Sequence, residues 1–366
     1  TRAGAFCMTG GRAKPAVMKA AIFETFATPP QVRELPEPDC PPDGALVRVQ
    51  ACGVCRSDWH AWRGSDPDVA VPHVGGHEFA GVVERVGRAV QRVRPGDRVT
   101  APFILSCGAC PTCRGGDPTA CDRQDVIGFT RWGSFAEQVA VPRADFNVVA
   151  LPDQLSPVAA AGMGCRVTTA FRALADRARL APGEWLAVHG CGGVGLSAVA
   201  LGAAMGARVL AVDVDAAALD RAAALGATQT LDASALSDVG AAVRDLTHGG
   251  AQVSLDALGI TETFRNSLYA LARLGRHVQI GMPLESHAEP PVPLLDLVYA
   301  RQIAILGTRG MAAGRFDALF GMIAAGRFDP ARLVERTIPL TGVAEALQAM
   351  DGYTSPGVTV IDRFDG

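Results

Sequence analysis

Between Cys52 and Glu78 the chain reads CGVCRSDWHAWRGSDPDVAVPHVGGHE. The run brings together a thiol at Cys55, a hydroxyl at Ser57, a carboxylate at Asp58, imidazoles at His60 and His77, and a second carboxylate at Glu78. These are the groups a zinc enzyme needs: soft ligands for the ion, a hydroxyl to take a proton and an imidazole to carry it onward. Taken singly, each has a plainer reading. A lone Cys is usually a small buried hydrophobe, and a lone His more often fills a structural place than a ligand's. Their combination is what points to metal chemistry.

A second cluster follows in CGACPTCRGGDPTAC. Cys107, Cys110 and Cys113 are separated by two residues each, and Cys121 comes after seven more. Four thiolates this close in sequence can wrap one ion tetrahedrally and leave no open position, which is a structural rather than a catalytic zinc site. The rival occupant is an iron–sulfur cluster. Its bacterial pattern places the fourth Cys after three residues and Pro next, whereas here Asp122 follows Cys121.

The third feature is HGCGGVG. Gly190, Gly192 and Gly195 form G-x-G-x-x-G, with Gly193 and Val194 inside it. The pattern alone is weak. Here it follows the apolar strand-like WLAVH, opens a helix-like stretch and is followed by Asp213 at the end of RVLAVD, which is the dinucleotide-binding context. Glycines let backbone amides approach a pyrophosphate at the positive end of a helix. Cys191, within the motif, reads as a small buried residue.

The elements that must position these groups fall into two kinds. Residues 18–150 read as short strands (KAAIFE, ALVRVQA, FAGVVERVG, DRVTAPF, FAEQVAVP) separated by Pro and Gly, with a turn at 95–97. A helix is expected over 156–178, with Ser156 and Pro157 as cap and first-turn residue. Beyond it, strands WLAVHG, RVLAVD, TQTLD, QVSLDALG, RHVQIGM and IAILGTRG alternate with helices over 193–206, 215–225, 238–248, 261–273 and 294–301. Such alternation with apolar strands predicts a parallel sheet covered on both faces. A final helix is expected over 313–326.

Composition agrees. A chain of 366 residues, 49% hydrophobic and 19% charged, has ample core for about two domains. The net charge of −3, without a basic patch or interleaved aromatics, argues against nucleic acid, and no apolar run reaches membrane-spanning length. Ten cysteines without a secretory signal read as metal ligands in a reducing cytoplasm rather than as disulfides. Residues 1–17 read as an N-terminal extension, and Cys7 within it is given no role.

CGVCRSDWH followed by GGHE resembles the zinc-dependent medium-chain alcohol dehydrogenases, and the likeness runs from Met18 to near the C-terminus. The resemblance implies an α/β fold, with a GroES-like β-rich catalytic domain (18–165 plus 309–366) and an inserted Rossmann domain, a doubly wound parallel sheet, over 166–308. It implies one catalytic zinc on Cys55, His77 and the distant Cys165 of GMGCRVTTAF, with Glu78 as an occasional ligand. A structural zinc would lie on Cys107, Cys110, Cys113 and Cys121. Asp58 would orient a ligand, and Ser57 and His60 would relay the proton. NAD would be held by Arg56 at the pyrophosphate, by the loop Gly190, Gly192, Gly193, Val194 and Gly195, and by Asp213 on the ribose, with the nicotinamide beside Thr169 and the backbone near Gly281. Phe103, Trp62 and Trp132 lie in segments that line substrate pockets in that family, and a place in the core is the other reading of each. The implied substrate is a small alcohol, aldehyde or ketone, and the implied assembly a homo-oligomer, dimer or tetramer. One departure is SPGVTVI near the C-terminus, where relatives often carry an Arg toward the pyrophosphate. Two other readings stand beside this one. A polyol dehydrogenase of the same superfamily commonly has Glu where this chain has Cys165. A non-catalytic zinc protein would have no use for the glycine loop.

Overall fold

The computed structural model describes residues 16–352 and 357–365. The extension expected over 1–17 therefore lies outside the described residues except for Ala16 and Val17, and Val17 already opens a strand, Val17–Phe23. Part of SPGVTVI, residues 355 and 356, lies outside them as well.

The N-terminal part is built on the strand Ala45–Val54, nearly all of it buried. It pairs antiparallel with Glu78–Val86, with Gln138–Val141 and with the C-terminal strand Val358–Arg363, which carries Val334–Pro339 at its other edge. The chain's last strand thus returns to the sheet of the first part. The residues between Val54 and Glu78 leave this sheet and come back to it, so Cys55 and His77 stand where neighbouring strands begin and end.

The second part is a six-stranded, all-parallel sheet in the order 229–232, 208–213, 185–189, 251–256, 271–279, 304–307. Counted along the chain this is 3-2-1-4-5-6, the doubly wound order whose crevice opens where the order reverses. Here that point lies between the ends of Trp185–His189 and Ala251–Asp256. Every residue of Trp185–His189 is buried, as a central parallel strand requires.

Two expectations need correction. The helix expected over 261–273 stops at Tyr269, and a strand runs from Leu271 to Gln279. Leu271 and Val278 are fully buried, and pairing with Ala251–Asp256 overrides the local helical preference. The helix expected as continuous over 156–178 is interrupted at Gly164 (φ −5°, ψ −112°) and widens to π-helical turns over Arg172–Arg177. A Cβ at Gly164 would lie 2.2 Å from Glu78 Cβ, so only glycine lets the helix pass this close to the strand. That break shapes the site.

Candidate active site

Cys55 caps the N-terminus of the helix Arg56–Arg63, which leaves the end of the strand Ala45–Val54. Asp58, in the first turn, is 2% exposed and ties the start of its own helix to Gly76 and His77. Its Oδ2 accepts the Cys55 amide at 2.8 Å, and its Oδ1 accepts the Gly76 amide at 3.0 Å and His77 Nδ1–H at 2.8 Å. That last bond fixes which ring nitrogen is free. His77 Nε2 is buried without a partner, and Phe103 and Phe129 hold the ring edge-on at centroid distances of 5.5 and 5.2 Å.

Glu78 follows on the strand Glu78–Val86 and is fully buried. Because Gly164 breaks the helix, the amides of Cys165 and Arg166 lose their helical acceptors, and Glu78 Oε1 takes them at 2.8 and 3.3 Å. Cys165 is thereby brought to Cys55 and His77. One donor atom from each of Cys55, His77, Glu78 and Cys165 lies within 4.8 Å of the others. Cys165 hydrogen-bonds to Cys55 and, with the Arg166 charge, holds the Cys55 thiol well below its ordinary range against the cost of burial, while the same bond pushes Cys165 up. Burial pushes Glu78 up to about 7. Two sulfurs, one carrying thiolate character, with an unpartnered imidazole nitrogen and a carboxylate oxygen that has no hydrogen bond beyond a long ion pair to Arg166, fit a soft divalent cation such as zinc.

The second cysteine group converges just as closely, with Cys107, Cys110, Cys113 and Cys121 within 4.8 Å. Backbone amides point at the sulfurs: Ala109 and Cys110 at Cys107, Cys113 at Cys110, and Arg123 at Cys121, all at 3.3–3.4 Å. Donors aimed at sulfur favour the thiolate, and the Ala109 amide leads in pulling the Cys107 thiol down to about 5. Burial pushes the Cys113 thiol the other way, up to about 12, yet four converging sulfurs with no other ligand in the group fit a closed tetrahedral zinc site.

Ser57 and His60 lie on the helix that Cys55 caps, one turn apart and both half-buried. Ser57 is inside the helix and does not cap it. His60 Nδ1 is buried without a partner, and burial followed by the Arg56 charge lowers the ring's pKa, keeping it neutral and able to accept a proton. Arg56 stacks on Trp59 at 3.9 Å and donates to the Met350 carbonyl, while Trp59 Nε1 donates to Asp351 at 2.7 Å. This guanidinium, expected at the pyrophosphate, thus also holds the 350–351 segment to the helix.

At the sheet crevice, Gly192 caps the helix Gly193–Ala204, and Val194 stands half-buried in its first turn. A Cβ at Gly195 would meet the Gly190 carbonyl oxygen at 1.8 Å, so the helix packs against the strand end only with glycine there. Asp213 Oδ2 accepts the Cys191 amide at 2.5 Å, and its Oδ1 accepts those of Val214 and Asp215 at 2.7 and 3.0 Å. Thr169 Oγ1 accepts the Gly310 amide at 3.1 Å. Gly281 packs backbone to backbone on Leu258 and Gly259.

Of the three expected pocket aromatics, only Phe103 abuts the metal-ligand set. Trp62 is core, 2% exposed with Nε1 on the Thr28 carbonyl, and Trp132 is 40% exposed with Nε1 on Pro72. Phe129 takes the place beside His77 instead. Arg166 went unnoticed in the sequence reading. It is 5% exposed, its Nη1 lies 3.4 Å from Glu78 Oε2, its Nη2 donates to Val54 O, and its Cδ would lie 2.6 Å from a Cβ on Gly193. One side chain thus spans from the ligand set to the glycine loop. The available signal was a charge beside Cys165 in a stretch, 157–171, that holds no other.

Comparison with known proteins agrees with this geometry. Residues 41–153 match the alcohol dehydrogenase GroES-like domain, and residues 193–325 match the zinc-binding dehydrogenase domain. An alcohol dehydrogenase of Geobacillus stearothermophilus is 37% identical over 77% of this chain and 82% of its own. An NAD-dependent alcohol dehydrogenase of Sulfurisphaera tokodaii is 30% identical over 94% of this chain and 99% of its own. The solved alcohol dehydrogenase of Thermus sp. ATN1 superposes with a TM-score of 0.86 at 33% identity, covering 94% of this chain and all of that one.

Proposed function

Because the chain belongs to the zinc-dependent medium-chain alcohol dehydrogenase family, we propose that it interconverts an alcohol and its aldehyde or ketone with zinc and NAD. The observation that carries this is the convergence of Cys55, His77, Glu78 and Cys165 on one point, joined through Arg166 to the glycine loop. When bound, a zinc ion there supplies Lewis acidity toward the substrate oxygen, and NAD takes up the hydride.

The chain's own residues do the rest. Asp58 holds the Nδ1 proton of His77 so that Nε2 presents a lone pair. Glu78 and Arg166 fix the restarted helix that delivers Cys165. Ser57 takes the alcohol's hydroxyl proton as it passes its own on toward His60, so that alcohol and NAD give carbonyl product, NADH and one released proton. The Cys107–Cys121 lobe holds a second, structural zinc. Arg56, Thr169, the loop Gly190–Gly195, Asp213 and Gly281 bind the nucleotide, and the division into 18–165 plus 309–366 and 166–308 belongs to the same reading.

We further place the protein in the cytoplasm, where thiols stay reduced. It would act as a homo-oligomer through the open sheet edge Ala304–Gly307, beside which Leu294, Leu295 and Tyr299 are 64%, 71% and 79% exposed. Among the described residues no helix is long and apolar enough to cross a membrane.

NADH absorbance, followed across primary, secondary and polyhydroxy alcohols with zinc-loaded protein, tests the reading. Alcohol-dependent NADH formation that chelation abolishes is expected. Its absence across the panel overturns the proposal.

A further inference from the structure

Beneath the crevice lies a buried polar chain that the reaction as described does not use. Asp256, fully buried at the end of its strand, accepts four hydrogen bonds. Oδ1 takes the amides of Leu258 and Gly259 at 2.9 and 3.0 Å and the Thr263 hydroxyl at 2.8 Å, and Oδ2 takes Gln279 Nε2 at 2.9 Å. All four partners are donors, which matches a group that only accepts.

Donor and acceptor roles along the rest of the chain follow by chemistry. Gln279 Nε2 also lies 2.8 Å from the Gly281 carbonyl. Since both neighbours of that nitrogen accept, the amide nitrogen must face them, and Oε1 must face His277 Nε2 at 3.2 Å. His277 therefore carries its proton on Nε2. Burial pushes its pKa down to about 4, so the ring is neutral and Nδ1 accepts from the Ser267 hydroxyl at 2.8 Å. Ser267 in turn accepts from Ser254 at 2.7 Å. One orientation satisfies every member.

This chain ends on two loops that leave no room for error. The Asp256 carbonyl accepts the amides of Ile280 and Gly281 at 3.1 and 2.9 Å. A Cβ on Gly281 would lie 2.3 Å from the Gly259 amide nitrogen, and a Cβ on Gly259 2.5 Å from the Met282 carbonyl oxygen. The two loops are packed main chain on main chain, next to Gly190 through Leu258.

We propose that Asp256 and Gln279 are positioning residues that clamp loops 257–260 and 280–282 into a single rigid edge for the nicotinamide half of the nucleotide. His277, Ser267 and Ser254 lock the Gln279 amide in the required orientation. The proposal rests on the nucleotide reading above and adds which buried groups hold the loops still. Hydrogen bonds that involve a charged group typically carry one to two orders of magnitude in an equilibrium constant, so their loss is measurable in binding.

The test measures NADH and ADP-ribose binding by calorimetry on zinc-loaded wild type, Asp256→Asn and Gln279→Met. ADP-ribose lacks the nicotinamide and so reports on the rest of the site. Each single variant should weaken NADH about tenfold or more while leaving ADP-ribose within about twofold. Unchanged NADH binding or equal loss of both ligands overturns the assignment. If Asp256→Asn does not fold, Gln279→Met decides alone. A wild type that binds no NADH overturns the nucleotide reading and this assignment with it, whereas normal wild-type binding with indifferent variants overturns only the assignment.

Discussion

Asp58 Oδ1 accepts the Nδ1 proton of His77 at 2.8 Å in a site where neither side chain meets solvent. The same carboxylate holds the Cys55 amide, so one residue orients two groups that approach the metal position from opposite ends of a loop. Asp58→Asn should therefore lower zinc affinity at this site about 10- to 100-fold, the usual effect of losing such a partner. Chelator competition checks it, with the Cys107–Cys121 site as internal control. Equal affinities in wild type and variant would remove Asp58 from this role.

Two separate ligand sets predict two zinc ions per chain. Cys110→Ser should lose one ion and lower the melting temperature. His77→Ala should abolish turnover and leave the cysteine lobe folded with its zinc. Elemental analysis that finds iron, or one zinc in fully active protein, contradicts the assignment.

Asp213 predicts a preference for NAD over NADP. Its carboxylate faces the glycine loop and would repel a 2′-phosphate, and Val214 and Asp215 supply no compensating cation. Because the same carboxylate accepts the Cys191 amide, Asp213→Gly should raise the ratio of NADP to NAD efficiency and also weaken NAD itself. Comparable kcat/KM for the two nucleotides in the wild type would end the argument.

Proton transfer through Ser57 predicts a loss of about 10²–10⁴-fold in turnover for Ser57→Ala. His60→Ala should cost less, and small added bases should restore part of it, because water or buffer can stand in for an outer member of a proton relay. Both variants should keep their zinc and bind NAD normally. Near-wild-type turnover of fully metallated Ser57→Ala would show that the proton leaves by another route.

Buried His277 makes stability depend on pH. Its pKa is about 4 in the folded protein against an ordinary value of 6.5, so the unfolded chain binds the proton first. The stability it confers is complete above about 6.5 and is lost as pH falls toward 4, about 2 kcal/mol by pH 5. Chemical denaturation at pH 7 and pH 5 should show His277→Gln losing less stability between the two than the wild type. Parallel losses would mean that the ring does not remain neutral when folded.

The sequence by itself determined the chemistry of this protein. Thiol, hydroxyl, carboxylate and imidazole between Cys55 and Glu78, four clustered cysteines and a glycine loop between a strand and a helix are local patterns, and local patterns survive without coordinates. The alternation of strands and helices beyond Trp185 was legible for the same reason. What only the tertiary structure decided are the relations between distant segments. Gly164 breaks a helix because the Glu78 strand passes against it, and the amides so freed bring Cys165 to Cys55. Leu271 joins a strand rather than a helix because the sheet has a place for it. Arg166 gains its importance from neighbours far away in sequence, and so does Asp256, whose role comes from a strand and a helix that fold over it. Such groups carry no local signal. Burial and hydrogen-bond satisfaction are properties of the packed chain, and they assign a polar residue its task only once the surrounding water has been removed.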